Sequence, residues 1–209
     1  NNKKITKCDL TGVTDWGRTP TLPELAFSNC TALQEVTLPD DMKVIGTGAF
    51  FGCAALTTVN LSQVTWINLN AFWGCTSLET LALDNVTAIG QEAFYGCTGL
   101  ETLKIPKCTQ FGNYIVSGCK ALTRIEATAA GDFVDISDGR SSIERTAVFH
   151  NRDSHYGDSA FNPAKCDLVL NADKKQDGNA TPKVFSDNEW LVMPNGQLMR
   201  WNSITFAQQ

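Results

Sequence analysis

The chain has 209 residues, with 17 Lys and Arg against 22 Asp and Glu, so its formal net charge is −5. This length can bury a sizeable core in one domain or in a short repeat array, and a hydrophobic share of 43% excludes wholesale disorder. The mild acidity argues against nucleic acid as a partner, and no apolar run approaches the roughly 18 residues that span a bilayer.

The eight cysteines are many for such a chain, and their even number is compatible with a disulfide framework. Their spacing favours a repeat array instead, because five of them lie 23, 22, 22 and 22 residues apart: Cys30, Cys53, Cys75, Cys97 and Cys119. No Cys-x-x-Cys pair and no Cys/His cluster has the spacing of a zinc site. We therefore expect no structural metal.

Alignment on these cysteines reveals a shared pattern, L-x-x-[LV]-x-[LI]-x-x-[VC]-T-x-[IF]-[GN]-x-x-A-F-x-G-C. The alternation of apolar and outward residues, as in Val36 and Leu38 or in Leu81 and Leu83, predicts a short strand with one face inward. Such a strand cannot bury that face alone, so the coils must stack into a parallel ladder. The Ala-Phe-x-Gly-Cys segment is too short for a stable helix and predicts a single turn, helical or 3-10.

Two columns of the repeat carry further structural predictions. Gly and Asn tolerate a positive φ, so the column after the Ile/Phe position is predicted to turn each corner in a left-handed conformation: Gly46, Asn68, Gly90 and Gly112. Stacked cysteines have Cα atoms about 5 Å apart but parallel Cβ vectors. This favours a buried column of free thiols. A cross-coil disulfide stays open, with Cys8 and Cys108 as off-register candidates.

The repeat resembles the BspA-type, or Treponema pallidum-type, leucine-rich repeat of bacterial surface proteins, strongly over residues 26–128 and weakly from Ala160 onward. Val64, Val86 and Cys108 stand where ordinary leucine-rich repeats carry asparagine, as this subfamily allows. The resemblance implies export and a role in adhesion or partner binding. It also implies an α/β repeat fold: a right-handed leucine-rich-repeat solenoid of short parallel strands with short helical or 3-10 turns, about 22 residues per coil.

We predict a single solenoid domain over residues 1–209. It comprises an N-terminal cap (1–25), the repeats (26–128), an irregular insertion (129–159), and a last coil with a C-terminal cap (160–209). An open solenoid has to close both ends with atypical segments.

Specific segments are assigned to these caps. Lys4–Cys8 mirrors Lys104–Cys108 and predicts a first half-coil, which Trp16 would cover. Cys166–Leu170 alternates like one last strand, and the final coil would be sealed by Trp190–Met193 and Trp201–Phe206.

The start of the chain carries no apolar signal segment, since it reads Asn1-Asn-Lys-Lys. The sequence itself allows either a cytoplasmic chain or a mature form whose export segment has been removed. The family resemblance favours the second, and we expect an extracellular or cell-surface location.

The sequence gives little support for a catalytic or metal-binding role. His150, Arg152, Asp153, Ser154, His155 and Tyr156 cluster in the insertion, but six neighbouring polar residues do not supply a nucleophile with a separately oriented base. Asp132, Asp135 and Asp138 lack the spacing of an EF-hand loop, and Asn171, Asp173 and Asp177 lack its closing glutamate. We expect no catalytic residue, no metal and no cofactor.

Two outward surfaces are candidate binding sites. The outward strand positions include Glu35, Asn60, Lys104, Arg124 and Glu126, and they also fit a plain solvated sheet face. The column Phe51, Trp73 and Tyr95 places three rings in successive coils, about 5 Å apart, where a sugar ring or a protein partner could bind. Alternatively, these rings shield the turn backbone or pack on Trp66.

The sequence therefore predicts a non-enzymatic binding module, at a cell surface or secreted, that contacts an unidentified extracellular protein or glycan. Two alternatives remain: a structural spacer with no ligand of its own, and a carbohydrate-binding surface on the aromatic column. A third hypothesis, a hydrolase using His150 or His155, has the weakest basis.

Overall fold

The computed structural model describes residues 2–128, 134–135, 149, 161–171, 189–192 and 198–207. The strands within these ranges are short, because each coil must turn a corner after two to five residues. In chain order they are β1 (Lys7–Asp9), β2 (Thr21–Leu22), β3 (Glu35–Thr37), β4 (Val44–Ile45), β5 (Thr58–Val59), β6 (Trp66–Ile67), β7 (Ala88–Ile89), β8 (Thr102–Lys104), β9 (Gln110–Phe111), β10 (Arg124–Glu126), β11 (Val134–Asp135), β12 (Asp167–Asn171), β13 (Glu189–Val192), β14 (Leu198–Arg200) and β15 (Ser203–Ala207).

The coils contribute strands to two parallel ladders. The front ladder has the orders β1-β3-β5 and β8-β10-β12-β15, and the second sheet has the order β2-β4-β6-β7-β9-β11. Equivalent residues of successive coils lie opposite one another, as Val36 does with Val59 and Ile45 with Ile67. The predicted solenoid of short parallel strands is confirmed. Strands β13 and β14 form a separate antiparallel pair.

The inward columns of the repeat form one continuous core. Leucines of the first column are buried in every coil, and the Ile/Phe column of the second sheet is buried with them. In the turns that follow the second sheet, the rings of Phe27, Phe50, Phe72 and Phe94 stack at centroid distances of 5.5, 5.1 and 5.7 Å. Stacking therefore buries each side chain against its own counterpart one coil away.

The front ladder is interrupted at one coil. A strand was expected around Leu81 and Leu83, yet residues 78–84 contain none, although Leu83 is fully buried. In the preceding coil the Asn60 side chain bonds the Leu38 backbone, accepting from its N–H at 2.6 Å and donating to its carbonyl at 3.0 Å. Ala82 also has a weak preference for strands. In this coil the inward residues are therefore still buried, although the coil does not pair as a strand of the ladder.

The Ala-Phe-x-Gly-Cys segments are hydrogen-bonded turns, not helices. Within one coil, the Cys53 N–H donates to the Phe50 carbonyl at 3.1 Å. Between coils, Phe50 N–H donates to Ala71 O at 2.8 Å and Gly52 N–H to Trp73 O at 2.7 Å. These turns use backbone groups to tie each coil to the next, as a strand would. The helix found in the described residues is a single 3-10 turn, Pro163–Lys165.

The predicted left-handed column is wrong. The positive φ values lie two residues further along, at Leu25, Gly48, Asn70, Glu92 and Tyr114, and again at the glycine before each repeat cysteine from Gly52 to Gly118. Both columns provide the third residue of turns such as Asn68–Ala71 and Phe72–Cys75, where a positive φ is required.

The glycines at the predicted corner have a different role: they allow the backbones of neighbouring coils to approach closely. A Cβ on Gly90 would lie 2.5 Å from the Leu69 nitrogen, and a Cβ on Gly46 would overlap the Leu22 carbonyl oxygen. By contrast, Gly74 has φ +69° but open space for a Cβ, whose nearest neighbour would be the Gly52 Cα at 3.8 Å. Two kinds of glycine therefore alternate along the coil.

The N-terminal half-coil exists, but its predicted register is wrong. Strand β1 pairs with β3 so that Cys8 lies opposite Val36, which makes Cys8 the inward residue of its strand. Alignment with Lys104–Cys108 would have placed Ile5 inward instead. Trp16 is partly buried against the core, as expected of a cover, and its Nε1 donates to the Val13 carbonyl at 2.8 Å.

The C-terminal region extends the front ladder by two strands. β12 pairs with β10, as the alternation of Cys166–Leu170 predicted, and β15 adds a further parallel strand. Asn202 Nδ2 and Ser203 Oγ both donate to Asp167 Oδ1, at 2.7 and 2.6 Å, and these bonds lower the pKa of that carboxyl. They fix β15 beside β12.

The region predicted as an irregular insertion contributes to the repeat core. Strand β11 extends the second sheet beyond β9, with Val134 opposite Gln110. Phe149 is fully buried, and its ring packs edge-on against Phe111 at 6.2 Å and Trp201 at 6.1 Å. Residues 129–159 therefore include at least part of another coil.

The two kinds of glycine predict a ranked series of stabilities. Gly90→Ala should lower the free energy of unfolding by about 2–3 kcal/mol through backbone overlap, and Gly74→Ala by about 1 kcal/mol through its left-handed φ alone. Gly12→Ala, with nothing within 4 Å of its Cβ, and Thr80→Ala should stay within about 0.5 kcal/mol of the parent. Urea titration measures all four. Equal values for Gly90→Ala and Gly12→Ala would contradict the close approach.

Candidate binding surfaces

The outward side chains of the front ladder, termed the ladder face, carry two groups of ion-paired charges, one on each side of its middle coils. On one side Lys7 Nζ and Glu35 Oε2 are 2.6 Å apart. On the other, on β8 and β10, Arg124 Nε and Glu126 Oε1 are 2.7 Å apart, with Lys104 Nζ 3.8 Å from Glu126 Oε2. The structure thus brings three of the five predicted residues of this face together and places Glu35 apart from them.

The centre of the ladder face is uncharged. Thr58, Thr80 and Ala82 are exposed there, and all three are short. Asn60, the remaining predicted residue of this face, is partly buried and uses both side-chain groups on the Leu38 backbone. A neutral patch of short side chains therefore lies between the Lys7–Glu35 pair and a group in which Lys104 and Arg124 share Glu126.

The aromatic column is stacked as predicted, but its rings are not exposed together. Phe51 and Trp73 centroids are 5.5 Å apart and those of Trp73 and Tyr95 are 3.9 Å apart, with interplanar angles of 28° and 23°. Tyr95 is only 6% exposed. Trp73 has a ring against each face, so its indole offers no open surface on which a sugar ring could stack.

The repeat cysteines form the predicted column of buried thiols, and all eight cysteines of the chain are free. Four of the five thiols in the column donate to the phenylalanine carbonyl of the coil before: Cys53 to Phe27 at 3.0 Å, and Cys75 to Phe50, Cys97 to Phe72 and Cys119 to Phe94, each at 3.1 Å. Cysteine suits this column because it is a small hydrophobe that also carries a weak donor.

Burial suppresses the ionisation of these thiols. It raises the pKa to about 12 at Cys53, Cys97, Cys108 and Cys166, and well above the usual 9.0 at Cys75 and Cys119. Cys8 is partly exposed, and its pKa is raised mainly by burial and further by Asp9 and Cys30. Since the thiolate is the reactive form, these thiols are structural.

The structure adds no support for the metal-binding and catalytic candidates. In the described ranges, no three His, Cys, Asp or Glu side chains come together in a way that could hold a metal ion. The cluster from His150 to Tyr156 lies outside the described residues, as do Asp132, Asp138, Asp173 and Asp177, and only the backbone of Asp135 and Asn171 is described. Among the residues that the structure describes, no helix has the length and hydropathy needed to cross a bilayer.

Sequence reasoning missed a third surface. Trp66 and Leu69, on and just after β6, are exposed together with Leu25. The sequence suggested Trp66 only as a packing neighbour of the aromatic column. The outward position of Trp66 in strand β6 was the signal in the sequence that could have identified this surface. Its exposure depends on how the neighbouring columns pack.

Thiol burial predicts selective chemical reactivity. At pH 8, a disulfide reagent such as dithionitrobenzoate should modify Cys8 well before any other thiol of the folded chain, because Cys8 alone is partly exposed. All eight should react in denaturant. A Cys8→Ser variant should lose the fast phase, and two or more fast thiols in that variant would show that the thiol column is open.

The raised thiol pKa values predict alkaline destabilisation. Above pH 9.0 the unfolded thiols lose protons, while the buried ones keep theirs until about pH 12. The free energy of unfolding should therefore fall by about 1.4 kcal/mol per pH unit for each such thiol. Urea titrations at pH 9–11 should give a shallower slope for Cys97→Ala and an unchanged slope for Thr80→Ala. An unchanged slope for Cys97→Ala would contradict the assignment.

Three solved structures resemble this chain. A T. pallidum leucine rich repeat protein is 24% identical over 55% of this chain and 61% of its own, with a TM-score of 0.48. A leucine rich cell surface protein of Faecalibacterium prausnitzii A2-165 is 24% identical over 59% and 43%, with a TM-score of 0.36. A leucine-rich repeat protein of Bacteroides ovatus ATCC 8483 is 20% identical over 80% and 56%, with a TM-score of 0.41. The matched parts thus span less than two thirds of each solved chain.

No curated protein matches the sequence significantly. The family model for the BspA type leucine rich repeat region matches residues 2–125 with six copies. That stretch is more than half of the chain and contains the stacked cysteine, phenylalanine and leucine columns described above. The chain therefore belongs to the BspA type leucine rich repeat family.

Proposed function

We propose that this chain is a protein-binding repeat module exposed at a bacterial cell surface, and that its ladder face is the contact surface. Solenoids stack their repeats into extended faces, so that a partner can contact several successive coils. The family resemblance supports the surface location, and the proposed role is binding and not catalysis.

The observation that carries this proposal is the charge distribution of the ladder face. Its centre, Thr58, Thr80 and Ala82, is exposed and uncharged. Protein interfaces typically have a centre depleted of charge and a polar rim. A partner that covers these three side chains would not have to strip water from an ion among them, which is the costliest part of desolvation.

The charged residues on either side of this centre fit the role of a rim. Glu35 on one side and Lys104, Arg124 and Glu126 on the other form partly exposed ion pairs. Charges in such positions contribute mainly to the rate and specificity of association. Asn60 supports the face by holding the Leu38 backbone.

Thiol burial is compatible with the proposed location. Free cysteines are at risk of oxidation outside the cell. Here seven of the eight are buried, and protonated buried thiols react slowly. The chain could therefore keep its thiols reduced at a cell surface without disulfide bonds.

A steric block of the ladder face tests the proposal. The purified chain would be applied to an array of bacterial-surface and host extracellular proteins, beside a Thr80→Arg/Ala82→Arg double variant. Because both positions point outward, the variant should fold and melt like the parent. Its affinity for a protein bound by the parent should fall at least tenfold.

The matched control is Gln63→Arg, which adds the same side chain at an exposed position outside the front ladder. It should bind like the parent. Unchanged binding by the double variant would place the contact elsewhere on the molecule. A chain that binds no protein on such an array would instead fit a spacer with no ligand of its own.

A further inference from the structure

The N-terminal edge of the second sheet is strand β2, which pairs with β4 and has no strand on its outer side in the described residues. An open edge of this kind invites pairing with further strands, and proline is one of the residues by which proteins prevent it. Strand β2 (Thr21–Leu22) has a proline directly on each side, Pro20 and Pro23. Two backbone donors are therefore missing beside this edge.

The N–H that Pro20 lacks links one coil to the next in the coils that follow. Pro20 is equivalent to Lys43, because Thr21 lies opposite Val44. At this position of four successive coils, the N–H donates to the carbonyl one coil back, at 2.9–3.1 Å: Lys43 to Pro20, Thr65 to Lys43, Thr87 to Thr65 and Thr109 to Thr87. Thr21 keeps its own N–H, whose counterparts share those same acceptors. Of each shared pair of donors, the first coil thus retains one.

The N–H that Pro23 lacks is used in the same way. Pro23 is equivalent to Gly46 of the next coil. At this position the N–H donates to the carbonyl one coil back, at 2.7–3.0 Å: Gly46 to Leu22, Asn68 to Ile45, Gly90 to Ile67 and Gly112 to Ile89. A coil placed ahead of the first one would therefore find no backbone donor at Pro23 for its own carbonyl.

Pro23 also fills space that a preceding coil would need. In the same column, a Cβ on Gly90 would lie 2.5 Å from the Leu69 nitrogen of the coil before, so there is no room for a side chain at Gly90. Asn68 does carry a side chain in this column, and its Nδ2 donates to the Ile45 carbonyl at 3.1 Å. Proline brings a Cβ and a ring but no donor, so neither arrangement is open to Pro23.

We infer that Pro20 and Pro23 close the N-terminal edge of the second sheet against a further coil. A coil stacked on this edge would bury a carbonyl without a donor, which is costly, and would meet the Pro23 ring. The first coil itself loses no bond, because the nitrogens at these two positions face the coil before and not β4. The same chemistry would meet a coil offered by a second molecule, so it disfavours end-to-end assembly. The ladder face is not involved, and the inference is independent of the proposed function.

Adding a coil to the full chain tests this directly. A copy of residues 43–64 inserted between Thr19 and Pro20 supplies a coil of the natural repeat ahead of the prolines. The matched chain carries the same insert together with Pro20→Lys/Pro23→Gly, which gives the old first coil the residue types of Lys43 and Gly46. The matched chain should melt about 10 °C or more above the chain that keeps its prolines, because only the matched chain can bond the added coil.

Equal melting temperatures of the two chains would overturn the inference, as would failure of both to fold, since the prolines would then not decide whether a coil can be added. Without the insert, Pro20→Lys/Pro23→Gly should lower the melting temperature by at most about 5 °C, through the greater entropy of the unfolded chain. A larger loss would show that the prolines stabilise the first coil itself, and this result would also overturn the inference.

Discussion

The spacing between coils constrains everything else in this molecule. Parallel strands lie about 4.8 Å apart, so each inward side chain has its own counterpart from the next coil as its nearest neighbour. Each column must therefore accept copies of itself. Phenylalanine rings do so by stacking at 5.1–5.7 Å, and thiols do so by donating to the carbonyl of the preceding coil. Glycine does so where two backbones come closer than any Cβ allows.

Because the core columns are fixed in this way, variation that serves function is confined to outward positions. Leu25 and Gly48 occupy equivalent positions, yet only Leu25 exposes an apolar side chain. On the front ladder, charged residues lie on either side of the short neutral ones. The repeat thus supplies a rigid scaffold on which single substitutions create distinct surfaces.

The period of the cysteines was enough to predict the parallel solenoid, the inward columns and the buried thiols, since stacking leaves few alternatives at that spacing. The residues with a positive φ could not be identified from the sequence. A glycine needed for close backbone approach and a glycine needed for a positive φ look the same there. The predicted register of β1 was wrong because that strand has no repeat cysteine on which it could be aligned. The burial of Tyr95 and the exposure of Trp66 depend on how outward side chains of neighbouring coils pack, which the repeat pattern does not specify.

The central claim is that equivalent residues of successive coils pair in register. Nuclear Overhauser contacts between backbone protons of an isotope-labelled chain measure this most directly. The account predicts cross-strand contacts between residues 22 or 23 positions apart, such as Glu35 with Thr58, Trp66 with Ala88 and Leu103 with Ile125. Contacts at irregular separations, or none beyond sequential neighbours at these positions, would contradict the stacked solenoid.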